Sequence, residues 1–122
     1  MAVLGLLLVG CSNDGSSSRE ADTRQHRRQA EAEIAKQPER LKFINELIEK
    51  RVFTKVNVDE LVPDIYVGPA FFLVDFETKQ NFVSVVYAYT KTSRPNLTLV
   101  QLYDNMTGKE IGRYTESGLK IY

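Results

Sequence analysis

Few side chains in this sequence could do covalent or acid–base chemistry. There is one cysteine, Cys11, and one histidine, His26. A single Cys excludes an internal disulfide framework and any cysteine-based zinc site. His26 has no second His or Cys to share a metal with, so a ligand role is not expected of it. Asp75 and Glu77, spaced i, i+2, could share an acid–base task. Followed by Lys79, they read better as solvated turn residues. Asp104-Asn105-Met106-Thr107-Gly108 puts oxygen ligands in a short loop. Its better reading is a hairpin turn, with Asp accepting local backbone hydrogen bonds and Gly supplying a positive φ. Gly68-Pro69-Ala70-Phe71-Phe72 could line a ligand or partner pocket. The plainer reading is a bulge that bends a core strand. No glycine-rich phosphate loop, CxxC pair or carboxylate-rich metal loop occurs.

Cys11 closes an apolar run. Ala2–Val9 (AVLGLLLV) carries no charge. A helix of that length rises about 12 Å, too little for a bilayer core of about 30 Å. It does suit the apolar region of a secretory signal. The string Leu8-Val9-Gly10-Cys11 at its end resembles the lipobox of bacterial lipoproteins. That resemblance, confined to the residues up to Cys11, implies a diacylglycerol on the Cys11 thiol. It also implies cleavage before Cys11 and acylation of the new amino group. The Lys or Arg that usually opens such a signal is missing, so the start lies upstream or the signal is atypical. Ser12 resembles the pattern sorted to the outer of two membranes. The expected location is therefore the bacterial cell envelope, on the outer membrane facing the periplasm where the host has two. The membrane is the expected partner, through the lipid on Cys11. This use of Cys11 leaves no Cys–His or Ser–His arrangement. No enzymatic role and no cofactor are expected.

The rest of the chain must position whatever remains. Its 122 residues allow one small domain, and 16 basic residues balance 16 acidic ones. That balance excludes a nucleic-acid binder held by bulk charge, so no nucleic-acid partner is expected. Residues 1–10 read as the signal peptide and 11–37 as a polar tether behind the lipid. Ser12–Ser18 is a flexible-linker composition. Arg19–Gln37 is charged, free of aromatics and compatible with helix. Arg24, Arg27 and Arg28 could touch anionic headgroups or peptidoglycan carboxylates. Acidic neighbours favour a solvated helix face instead.

Residues 38–122 read as the folded domain, holding all 6 Phe and 6 Tyr. Pro38 suits a first helical turn and Glu39 adds favourable charge there. Leu41, Ile44, Leu47 and Ile48 form one stripe, so the spacing predicts an amphipathic helix over 38–51. Beyond it the pattern predicts strands over 52–58, 65–75, 82–91, 97–104, 109–115 and 119–122. The expected class is α+β: one helix on a curved antiparallel meander of five or six strands. Within Phe82–Tyr89 a strand would turn Val83, Val85, Tyr87 and Tyr89 to one face, and both faces would be largely apolar. One helix covers one face, so these four residues become the candidate interaction face. Two roles stay open: a structural or interaction lipoprotein, for example an accessory part of an envelope machine, or a tethered module binding a small or lipidic ligand in a curved sheet.

Overall fold

Asp14–Ala35 forms helix α1, a segment rich in Arg, Glu, Gln and Ala, all good helix formers. From Ala21 on, its side chains are exposed, Glu33 alone being half-buried. No apolar stripe is present to pack. The computed structural model describes residues 14–122. The chain divides into two units, Met1–Ala35 and Lys36–Tyr122.

The second unit is α+β, with helix and strand in one core. Helix α2 runs Gln37–Glu49, with Pro38 and Glu39 in its first turn as expected. It buries Ile44 and Leu47, while Leu41 stands 43% exposed. Its end is a Schellman turn: Val52 N–H donates to the Leu47 carbonyl at 2.9 Å and Arg51 N–H to Ile48 at 3.1 Å. Arg51 takes the left-handed position, φ 64°, where glycine is usual.

Five strands follow: β1 Phe53–Asn57, β2 Asp64–Val67, β3 Leu99–Asp104, β4 Glu110–Thr115 and β5 Gly118–Ile121. They lie in chain order, and β1–β2, β3–β4 and β4–β5 are antiparallel. The β2–β3 pair is parallel, with Val67 opposite Asp104. The sheet is therefore mixed, which corrects the expected meander. A parallel pair cannot close through a hairpin and needs a crossover.

That crossover is the second correction. Phe82–Lys91, expected as a strand, lies inside helix α3, Phe76–Ser93. Asp75 caps it, accepting from Thr78 N–H at 2.8 Å, so the expected turn residue Glu77 lies in the first turn of a helix. The buried residues of α3 are Val83, Val86 and Thr90, a stripe of helical period. Burial of that stripe overrides the strand preference of Val and Tyr. Thr90 loses nothing by burial, because its hydroxyl donates to the Val86 carbonyl at 2.8 Å.

The expected strand over 65–75 stops at Val67. Gly68 turns the chain away, and a short 3-10 helix spans Pro69–Leu73. A Cβ on Gly68 would lie 2.3 Å from the Arg51 carbonyl oxygen, so the two backbones meet only because that position is glycine. The core joins Ile44 and Leu47 of α2, Val83 and Val86 of α3, Phe71, and the inward residues of the sheet. Among the latter, Phe53, Ile65, Val67, Val100 and Leu102 are completely buried. Phe43 and Phe82 pack α2 on α3 with ring centroids 5.9 Å apart.

Candidate interaction surface

The strand alternation that grouped Val83, Val85, Tyr87 and Tyr89 does not exist on a helix. Residues two apart on α3 point about 200° apart. Val83 is completely buried in the core. Val85, Tyr87 and Tyr89 pack half-buried against it. The Tyr87 ring sits 4.9 Å from that of Tyr114 on β4, and Lys91 Nζ lies 5.6 Å from the Tyr87 centroid. Burial, then the neighbouring Tyr87, raises the Tyr114 phenol above its ordinary pKa. The Tyr89 carbonyl accepts from Gln37 Nε2 at 2.8 Å, tying the start of α2 to α3. These residues hold the helices to the sheet; they do not form one face.

Among the described residues the sheet does have an open second face, built from other residues. Because side chains alternate along a strand, burying Ile65 and Val67 turns Asp64 and Tyr66 outward, and burying Val100 and Leu102 turns Gln101 and Tyr103 outward. Strand register lines these up in two rows. Lys55, Tyr66, Tyr103 and Glu110 stand side by side across β1–β4, and Asn57, Asp64, Gln101, Arg113 and Lys120 across β1–β5.

The first row is an aromatic ladder. The Tyr66 and Tyr103 rings stack with centroids 5.3 Å apart and planes 21° apart. Lys55 Nζ approaches the Tyr66 centroid to 5.7 Å. The Tyr103 hydroxyl donates to Gln101 Oε1 at 3.0 Å, joining the rows. Partial burial, then the carboxylates of Glu110 and Asp64, push the Tyr103 phenol up from its ordinary pKa. At the β4–β5 side Tyr122 closes the pattern. Its hydroxyl accepts from Arg113 Nε at 2.6 Å and donates to Glu110 at 3.2 Å. Arg113 also lies 3.9 Å from Glu110 and over the Tyr122 ring. At the β1 edge Asn57 Nδ2 donates to Asp64 at 2.6 Å. Chemically this is a recognition surface: hydroxyl, amide, cation and ring faces together, half-wet. The sequence signal was present as Tyr alternating with buried Ile, Val and Leu in DIYV and LVQLYD.

The other flagged residues are structural. Asp75 is the α3 cap, and the Thr78 hydrogen bonds hold its carboxyl below the ordinary aspartate pKa. Glu77 is exposed in the first turn. Asp104 accepts from Met106 N–H at 2.9 Å and Gly108 has φ 73°, the hairpin turn that was expected. Cys11 and the expected signal peptide lie outside the described residues. Among the described residues no cluster of three or more His, Cys, Asp or Glu could hold a metal, and no helix is long and apolar enough to cross a membrane.

Two grooves flank the opposite end of the sheet. One, of about 420 Å³, lies between Leu61 and Val62 and the Pro95–Leu99 segment. Arg94 builds its wall by donating to the carbonyls of Val58, Glu60 and Leu61 at 2.9, 2.7 and 2.9 Å. The other, of about 300 Å³, is lined by Tyr87, Lys91 and Ser117 among others. No family model, curated protein or solved structure matches the chain, so its reading rests on its own residues.

Proposed function

We propose that this chain is a lipid-anchored protein of the bacterial envelope that acts by binding rather than by catalysis. Cys11 carries the lipid, and α1 serves as a polar spacer. The folded unit offers the Tyr66–Tyr103–Tyr122 face to a protein partner. The observation that carries this reading is the open face itself. Tyr66 and Tyr103 stand in register with Lys55, beside the row that holds Gln101 and Arg113, and Tyr122 is hydrogen-bonded to Arg113, all on the side of the sheet away from α2 and α3. Tyr and Arg are common among the residues that dominate protein interfaces.

Crosslinking in cells, followed by membrane isolation and pull-down, tests both parts. Cys11→Ser should release the chain from membranes or leave it uncleaved. Two acyl chains hold a protein stably where one does not, at about 0.8 kcal/mol per buried CH₂. Tyr66→Ala with Tyr103→Ala should leave the chain folded and anchored but remove the crosslinked partner. Unchanged fractionation and mass refute the anchor. Unchanged crosslinking refutes the face. The second reading, a tethered ligand module, finds support in the groove of about 420 Å³ beside Leu61, Val62 and Leu97. A filler at the exposed lining residue Thr98, such as Thr98→Trp, would abolish binding there and spare the tyrosine face.

A further inference from the structure

One end of the folded unit collects exposed apolar side chains. Val67 pairs with Asp104 in the parallel β2–β3 ladder, so the segments that follow leave the sheet at the same end. After Val67 come Phe72, 49% exposed, Leu73, 85% exposed, and Phe76, 51% exposed. After Asp104 comes Met106, 85% exposed, in a turn tied back by Asn105 N–H to the Val67 carbonyl at 3.2 Å. The 3-10 turn is what projects the first two. It buries Phe71 completely and gives the next residues no inward position. Lys79 pins that turn, donating to the Val74 carbonyl at 2.9 Å with its Nζ 5.7 Å from the Phe71 centroid. The side chains stand on the 3-10 turn, the first turn of α3 and a hairpin tip, exposed positions suited to entering a surface rather than receiving a ligand.

The charges around this end are Lys50, Arg51, Lys79 and Lys109 against Glu49, Asp75, Glu77, Asp104 and Glu110, four basic against five acidic. The chain enters the unit at the far end. Gln37 at the start of α2 meets Tyr89, while Val52, just past the end of α2, meets Gly68 through the Gly68 N–H. A helix of the length of α1, 22 residues, rises about 33 Å, against about 20 Å for α2. The length of the spacer thus does not keep the apolar end from a bilayer.

We propose that this end is a second membrane contact, with Phe72, Leu73, Phe76 and Met106 entering the interfacial layer of a bilayer. The proposal rests on the anchored reading, which brings the chain to a bilayer. Apolar burial drives the contact, since the rim charges nearly cancel and leave no basic excess. Binding should therefore depend little on anionic lipid or on salt.

The chain has no tryptophan, so a single introduced Trp reports alone. Leu73→Trp, Met106→Trp and, at the opposite end, Leu61→Trp are each made in the full lipidated chain. Each is reconstituted in phosphatidylethanolamine–phosphatidylglycerol vesicles whose acyl chains are brominated. Quenching at Leu73→Trp and Met106→Trp but not at Leu61→Trp supports the contact. Adding Phe72→Ser to Leu73→Trp should cut the ratio of quenched to unquenched tryptophan about tenfold, the effect of one buried apolar side chain. Equal quenching at all three positions, or none at Leu73→Trp and Met106→Trp, overturns it. A blue shift at Leu73→Trp without quenching also overturns it, because a protein rather than lipid would then cover the end. The mass of the wild-type chain recovered from membranes reads the anchor separately. A Cys11 without acyl groups refutes the anchor reading, whatever the tryptophans report.

Discussion

Strands β2 and β3 present two different surfaces with the same eight residues. Inward, Ile65, Val67, Val100 and Leu102 are completely buried under α2 and α3. Outward, Asp64, Tyr66, Gln101 and Tyr103 are half-buried and hold one another across the strands. The inner face is held by volume and depends on close packing. Among the described residues the outer face has no covering layer and is held by pairs: a stacked ring, a cation on a ring, a hydroxyl on an amide. Pairs of that kind are worth a few tenths of a kcal/mol to about 1 kcal/mol each. The inner face therefore carries stability, and the outer face is free to vary its partners at little cost to the fold.

The sharpest way to break this contrast is truncation inside. Leu102→Ala should cost about 2–5 kcal/mol, by loss of transfer energy and the cavity left behind. Chemical denaturation checks it, and a loss under about 1 kcal/mol would mean the inner face is loosely packed. Next comes the seam where β2 leaves the sheet. Gly68→Ala forces the Arg51 carbonyl away and should cost about 1–3 kcal/mol, with the added methyl acting as overpacking. Smaller again is the outer ladder. A double-mutant cycle on Tyr66→Ala and Tyr103→Ala should return a coupling of about 0.5–1.5 kcal/mol for the stacked rings. A coupling near that of a core pair would erase the distinction between the faces.

The smallest effect expected is electrostatic and lies at the start of α3. The folded state holds the Asp75 carboxyl below its ordinary pKa, chiefly through Thr78. Its stabilising share is therefore complete above the ordinary aspartate range and is lost as pH falls through the lower folded-state value. Asp75→Asn keeps an acceptor at the cap and should flatten the acid end of a Tm-against-pH profile with little change at neutral pH.

Much of this fold could be read from the sequence, and the failures have one cause. Helix α2 was legible because Pro38, Glu39 and the Ile44–Leu47–Ile48 spacing agree. The hairpins of β3, β4 and β5 were legible because Gly108 and the gap at Glu116–Gly118 interrupt alternating runs. Residues 82–91 failed because nearly every position is apolar or β-branched. Such a run satisfies period 2 and period 3.6 at once. The deciding signal lay outside it, in Asp75 three residues before Thr78, an N-cap pattern, with Lys91 in the last turn. Missing that helix moved the open face to the wrong residues. With α3 placed, Tyr66 and Tyr103 become the tyrosines that must face outward.

The parallel pairing of β2 with β3 also sets the order in which the sheet can assemble. β1–β2 is one local hairpin, and β3–β4–β5 is a second run of local hairpins. Each can close early, because its contacts are near in sequence. The central ladder joins them only after all of α3 has been threaded between, so the last strand pair to zip is the middle one. A meander would have grown from one end to the other. Here two halves, each too small to bury its own apolar side, commit together. The backbone amides of Ile65–Val67 and Gln101–Leu102 should accordingly be the slowest to exchange with solvent, opening only when the whole unit unfolds.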